Sequence, residues 1–108
     1  MKKEQQVAMN NYVMKNYDVF KDTLQLKNYP FFNWIKLRSC SASVAETDDF
    51  FILKSYNTIV AFINKHNGQK FDILRWVYGY TSTSAQHIAK FFQDYGDFRV
   101  STYTYRDV

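Results

Sequence analysis

Tyrosines that alternate with cations are the residues of this sequence whose types and spacing point to chemistry. They lie on or beside the central predicted strands and on the last one: Lys54, Tyr56, Lys65, Lys70, Arg75, Tyr78, Tyr80, Tyr103 and Tyr105. Aromatic rings on a sheet stack on bases, while lysine and arginine neutralise phosphates. Tyr and Arg also carry much of the binding energy at protein–protein interfaces. The pattern therefore predicts a partner-binding surface, for nucleic acid or for protein.

Catalytic and metal-binding patterns are missing from the sequence. Cys40 is the only cysteine, which excludes a disulfide framework and a cysteine-based zinc site. His66 and His87 lack metal-ligand spacing; we expect the first beside an exposed turn and the second on the surface of a helix. Asp48 and Asp49 lie in an acidic loop without the oxygen pattern or glycine of a calcium loop. We therefore predict no catalytic residue, no metal and no cofactor, and a protein that is not an enzyme.

Length and composition indicate one folded domain over residues 1–108. Of the 108 residues, 19% are aromatic, and the chain has only 3 Gly and 1 Pro. The net charge of +4 is concentrated in residues 50–93, which favours phosphates or an acidic protein surface as partners. The sequence contains no long apolar run and no signal peptide, so we expect a cytoplasmic protein that does not enter a membrane.

Two amphipathic helices are predicted. Residues 3–21 carry an apolar stripe at helical spacing, made of Val7, Met14, Tyr17 and Phe20 with Val13 and Leu24 nearby. Residues 81–96 form the second helix. Thr83 and Gln86 fit a capping box at its start, and Gly96 fits its end.

Strands are predicted over 33–38, 50–55, 58–64, 71–78 and 98–105, with 39–49 as a solvated loop. The dipeptide Asn67-Gly68 favours a two-residue hairpin turn between the third and fourth of these strands. The order predicts an α+β fold: a mostly antiparallel sheet of about four strands, an N-terminal helix, and a second helix before the last strand. We expect both helices to cover one face of the sheet, leaving the other face to water or to a partner.

The segment Ser55-Tyr56-Asn57-Thr58-Ile59-Val60-Ala61, followed by the Tyr-rich stretch and Thr/Ser-capped helix of residues 78–92, resembles a family of small proteins encoded by phages and mobile elements of low-GC Gram-positive bacteria. The resemblance covers roughly residues 50–95. Small phage proteins of this kind include anti-CRISPR proteins. The resemblance thus implies an inhibitor of a host CRISPR nuclease, such as Cas9, in the bacterial cytoplasm.

Two functional hypotheses therefore stand. The first is a phage-type protein that inhibits a CRISPR effector nuclease by steric protein–protein contact; its basic charge argues against mimicry of DNA. The second is a phage accessory protein that binds single-stranded DNA or RNA through an aromatic and basic sheet face. A homodimer formed through that face is one version of protein binding.

Overall fold

The computed structural model describes residues 3–25 (side chains of 3–17 only), 33–56, 58–74 and 81–104. Within these residues, the elements are α1 (Lys3–Gln25), β1 (Ile35–Lys36), β2 (Ala42–Glu46), β3 (Phe50–Ser55), β4 (Thr58–Asn64), β5 (Lys70–Asp72), α2 (Ser82–Tyr95) and β6 (Thr102–Thr104). The six strands form one sheet in the order in which they follow one another along the chain. The predicted α+β class is therefore confirmed.

The sheet is larger and more mixed than predicted. Neighbouring strands from β1 to β5 pair antiparallel, whereas β6 pairs parallel to β5. The parallel pair arises because α2 lies between these two strands and returns the chain to the end at which β5 began. The prediction of about four strands is thus wrong in strand number; the predicted antiparallel pairing holds from β1 to β5, and the parallel β5–β6 pair makes the sheet mixed.

The segment 39–49 is not a solvated loop, since it contains β2. Ala42, Val44 and Ala45 are buried there, and β2 pairs with both β1 and β3. Its small side chains give little contrast between apolar and polar positions, so the sequence pattern does not reveal the strand. The acidic turn follows directly, where the Thr47 hydroxyl accepts a hydrogen bond from the Phe50 amide at 3.0 Å.

The two helices cover opposite faces of the sheet, which corrects the expectation of one covered face. On the first face, Val13 and Tyr17 of α1 join a buried cluster with Phe50, Ile52, Ile59, Phe62, Phe71, Ile73 and Tyr103. On the second face, Ile88 and Phe91 of α2 pack with Leu37, Ala42, Val44, Leu53, Val60, Ala61, Ile63 and Leu74. The physical reason is visible in β3, whose successive residues are apolar on both sides and therefore require cover on both sides.

The buried side of α1 differs from the predicted stripe. Gln6, Asn10, Val13 and Tyr17 are buried, whereas Val7 is 37% exposed. The predicted stripe was wrong at Val7 because two polar side chains take the inward positions, where they contact the hydroxyl of a buried tyrosine described below. The side chains of Phe20 and Leu24 lie outside the described residues.

The ends of α2 and of the central hairpin are also defined. Thr81, rather than Thr83, caps α2: its hydroxyl accepts from the Ser84 amide at 3.3 Å. The β4–β5 hairpin is confirmed. Its connection spans residues 65–69, with Gly68 at a φ of +74°, and is longer than a two-residue turn. The predicted strand 71–78 corresponds to β5, which ends at Asp72; residues 75–80 lie outside the described part.

Candidate functional site

A cavity of about 440 Å³ at the β1 end of the sheet brings cations and aromatic rings together. Its lining residues are Trp34, Lys36, Cys40, Ser41, Ala42, Ser43, Lys54 and Tyr56. Two of them, Lys54 and Tyr56, belong to the surface predicted from the sequence. We call this cavity the Lys36–Lys54 site.

Strand register places the two lysines of this site in one row. Lys36 of β1 lies opposite Ser43 of β2, and Ser43 lies opposite Lys54 of β3. Directly opposed residues of paired strands share a face of the sheet. The two lysines therefore flank Ser43 on the α1 side, about 10 Å apart at their backbones because each strand spacing is about 4.8 Å. Flexible lysine side chains can converge on one anion across that span.

Lys54 is held partly out of water by an aromatic neighbour. Its Nζ lies 4.4 Å from the centre of the Trp34 ring, and Trp34 also packs against the core on the α1 side. The burial lowers the pKa of Lys54 from its ordinary value, because desolvation disfavours the charged form. No carboxylate among the described residues pairs with this ammonium. A bound anion would therefore provide the counter-ion that the Lys54 ammonium lacks among the described residues.

Tyr56 is the exposed aromatic residue of the site. Its side chain is 58% exposed and its φ is +53°, a conformation that bulky residues rarely adopt. The Tyr56 amide donates to the Ser41 carbonyl at 2.9 Å, which fixes the backbone in this conformation. Strained backbone of this kind persists where the surroundings hold it, and it is concentrated at functional sites. The ring is consequently presented at the rim of the cavity rather than packed into the core.

A buried polar network of Ser55, Ser84 and His87 lies beside Tyr56 on the α2 side of the sheet, and it was not predicted from the sequence. The Ser55 hydroxyl lies 2.8 Å from His87 Nδ1 and 2.9 Å from the Ser84 hydroxyl, and all three residues are buried. The His87 ring is 5.8 Å from the Tyr56 ring. Burial, and then the positive charge of Lys90, lower the pKa of His87. The prediction of a surface histidine is therefore wrong, since β3 presents a serine hydroxyl to the inward side of α2.

Neither the cysteine nor the buried serine is placed for nucleophilic chemistry. Cys40 Sγ donates to the Leu37 carbonyl at 2.9 Å, while His87 is bonded to Ser55 instead. Ser55 itself has no exposed surface that a substrate could reach. This arrangement holds two elements together rather than activating a nucleophile.

Of the other sequence-predicted residues, those that the structure describes lie away from this site. Lys65 bonds the Glu46 carboxylate and the Thr47 carbonyl, and it lies near the Phe51 ring. Lys70 is only 7% exposed, with its Nζ 5.7 Å from the centre of the Phe92 ring. Arg75, Tyr78, Tyr80 and Tyr105 lie outside the described residues.

Tyr103 is part of the core rather than of a surface. It is 5% exposed, and its hydroxyl accepts from Gln6 Nε2 at 2.6 Å and donates to Asn10 Oδ1. The sequence pattern marks it as an alternating residue of the last strand but does not show which face α1 covers. Among the described residues, the predicted aromatic and basic face is thus divided between different parts of the sheet, and Lys54 and Tyr56 are the two that line one cavity.

Ion pairs neutralise several cations elsewhere in the described residues, but not the two lysines of the Lys36–Lys54 site. Arg38 pairs with Asp94 at 2.7 Å, Arg99 pairs with Asp97 at 2.9 Å, and Lys65 pairs with Glu46. Hydrogen bonds from Arg99 lower the pKa of Asp97 to about 2. Within the described ranges, neither lysine of the site has such a carboxylate. The local field there is therefore positive, as an anion-binding site requires.

The residues missed at this site are Trp34, Lys36 and Ser43. The alternation of apolar and charged residues in 33–38 predicts that the side chain of Lys36 points outward, and this was the sequence signal for its place in the site. The sequence does not reveal that Ser43 of β2 lies between Lys36 and Lys54, because β2 resembles a loop in sequence. The position of the two lysines in one row could therefore not be predicted.

Comparison with known families adds a classification. Residues 1–107 match a family described as being of unknown function. The chain belongs to the DUF8033 family. No curated protein and no solved structure matches it. No helix in the described part of this family member is long and apolar enough to cross a membrane, and no group of three or more His, Cys, Asp or Glu there could hold a metal ion.

Proposed function

We propose that this protein acts without catalysis by binding single-stranded nucleic acid at the Lys36–Lys54 site. The observation that carries the proposal is one cavity lined by an exposed tyrosine and by two lysines that pair with no carboxylate of the described residues. Proteins that bind single strands combine a positive groove for the backbone with aromatic rings for the bases. The site has both parts.

The binding mode follows from the placement of the side chains. A phosphate would lie between the two ammonium groups, over Ser43, whose hydroxyl can donate to it. An adjacent unstacked base would lie on the Tyr56 ring, since the opposite ring, Trp34, is already contacted by Lys54. Because neither contact reads the edge of a base, we expect little sequence preference.

The experiment is fluorescence anisotropy with a labelled deoxythymidine oligonucleotide over a range of salt concentrations. The double variant Lys36→Gln/Lys54→Gln should lower the salt dependence of log Kobs by about 1.4, since each lost phosphate contact on a single strand accounts for about 0.7. Tyr56→Ala should weaken binding by roughly 5- to 150-fold, the range for one stacked base.

The matched control is Lys3→Gln/Lys15→Gln, which removes the same charge from exposed positions of α1. If the control loses as much affinity as the site variant, binding is due to net charge and the assignment fails. An absence of binding at low salt would contradict the proposal altogether.

Inhibition of a CRISPR nuclease by steric contact stays a prediction from the sequence resemblance. The family match carries no description of a partner. A cleavage and pull-down assay tests it directly, and no complex with no loss of cleavage at micromolar protein would contradict it.

A further inference from the structure

A second cavity lies at the same end of the sheet but on the α2 side. Its volume is about 570 Å³, and it is lined by Asn33, Ile35, Val44, Glu46, Thr47, Asp48, Phe51, Lys65 and Tyr95. We propose that this cavity accepts an arginine or lysine side chain of a protein partner. This inference is independent of the nucleic-acid site, which is lined by different side chains.

The fold already shows how the cavity holds a cation. Lys65, which comes from the β4–β5 connection, places its ammonium on the Glu46 carboxylate, 3.1 Å from the Thr47 carbonyl and 5.3 Å from the centre of the Phe51 ring. A carboxylate, a carbonyl oxygen and an aromatic face are the three groups that bind an ammonium or guanidinium group. One such set is thus occupied from within the chain.

The same lining contains a further carboxylate, Asp48, and a further aromatic ring, Tyr95. Asp48 is exposed and forms no ion pair within the described ranges. The Tyr95 ring also lines the cavity, with its centre 5.2 Å from that of the Phe51 ring. With Glu46 and Asp48 against Lys65, the lining carries a net charge of −1. The charge therefore favours a second cation, in a chain whose overall charge is +4.

The edge of the sheet indicates a protein as the source of that cation. Ile35 is 58% exposed at the mouth of the cavity, so it offers apolar contact to the residues flanking a basic side chain. Leu37 donates to the Ala42 carbonyl at 2.8 Å, which makes these two a hydrogen-bonded pair. The N–H and C=O of the preceding residue, Lys36, consequently point away from β2, toward the side of β1 on which no described strand pairs with it. An extended segment can bond to them while its side chain enters the cavity.

The test uses a blocked tripeptide with one arginine between two leucines, and the same peptide with citrulline, which keeps the shape but lacks the charge. Titration followed by amide chemical shifts should give about tenfold tighter binding for arginine, the factor for one charge-assisted hydrogen bond. The shifts should centre on Asp48, Phe51 and Tyr95. Asp48→Asn should remove the preference for arginine.

Glu4→Gln on α1 is the matched control, since it removes another exposed carboxylate that does not line the cavity. Equal affinity for the two peptides, an unchanged preference in Asp48→Asn, or shifts centred elsewhere would each overturn the proposal. Because Asp48 is exposed, its replacement should leave the fold intact, and an unchanged melting temperature verifies this. Displacement of the peptide by the oligonucleotide would show that the two sites are not independent and would also count against it.

Discussion

Replacement of Tyr103 by phenylalanine distinguishes the role predicted from the sequence, partner binding, from the role seen in the structure, a buried hydrogen bond. The change removes a single oxygen atom from a side chain that is 5% exposed. In the fold, that oxygen accepts from Gln6 Nε2 and donates to Asn10 Oδ1, so it joins β6 to α1 across the whole length of the chain. If Tyr103 instead contributes to a binding surface, the same change should affect partner affinity and not stability.

The size of the effect follows from what stays buried. Gln6 and Asn10 are 9% and 5% exposed, so water cannot readily replace the lost hydroxyl. An unsatisfied buried polar group costs about 1–3 kcal/mol. Gln6 Nε2 still donates to Asn10 Oδ1 at 2.9 Å, which retains part of the network. We therefore expect the free energy of unfolding to fall by about 1–2 kcal/mol, equivalent to a drop in Tm of about 4–10 °C for a domain of this size.

Thermal unfolding followed by circular dichroism, with urea titration as a second measure, checks this value. Tyr56→Phe is the control, because its side chain is 58% exposed and should change Tm by little. The combined variant Gln6→Leu/Asn10→Leu/Tyr103→Phe should recover part of the loss, since it replaces the three polar groups that bond one another together and so leaves none of these three unpaired. An unchanged Tm in Tyr103→Phe, or weaker oligonucleotide binding with intact stability, would refute the reasoning.

Two further changes test the α2 side of the sheet. Below the ordinary histidine pKa of about 6.5, the unfolded chain takes up a proton at His87, whereas the folded protein, in which the pKa of His87 is lowered, does not. The free energy of unfolding of the wild type should therefore fall from pH 7.5 to pH 5.5. His87→Asn, which can keep the bond to Ser55, should flatten that fall when it is measured by urea titration. An identical pH dependence in both proteins would contradict this account. Gly96→Ala should lower Tm because the added Cβ would lie 2.7 Å from the Phe92 carbonyl oxygen and 2.9 Å from Lys70 Cδ. Such overpacking costs about 1–3 kcal/mol. A Tm at or above that of the wild type would show that the backbone at the end of α2 shifts to accommodate the methyl group without cost.

Local sequence pattern was sufficient where one element decides its own conformation. The β3 and β4 segments, rich in β-branched and aromatic residues, occupy the predicted ranges 50–55 and 58–64. The second helix ends at Gly96 as its pattern predicts. The capping residue was missed because Thr81 and Thr83 have the same chemistry, and only the path of the chain into α2 selects between them.

The candidate site was accessible from the sequence only in part. Lys54 and Tyr56 stand out by type and position, and both line the Lys36–Lys54 site. Lys65 and Lys70 stand out equally, yet a carboxylate neutralises the first and burial removes the second. Whether a lysine is free depends on partners far along the chain, and no local pattern contains them.

What the sequence by itself determined is therefore the α+β class, the central strands and hairpin, and a surplus of cations and tyrosines. Only the tertiary structure decided that β2 is a strand, that the helices lie on opposite faces, and that Lys36 lies in one row with Lys54. The physical reason is that side-chain periodicity gives the two faces of a strand but not the element that covers each. That choice is made by pairing register and by packing between distant segments.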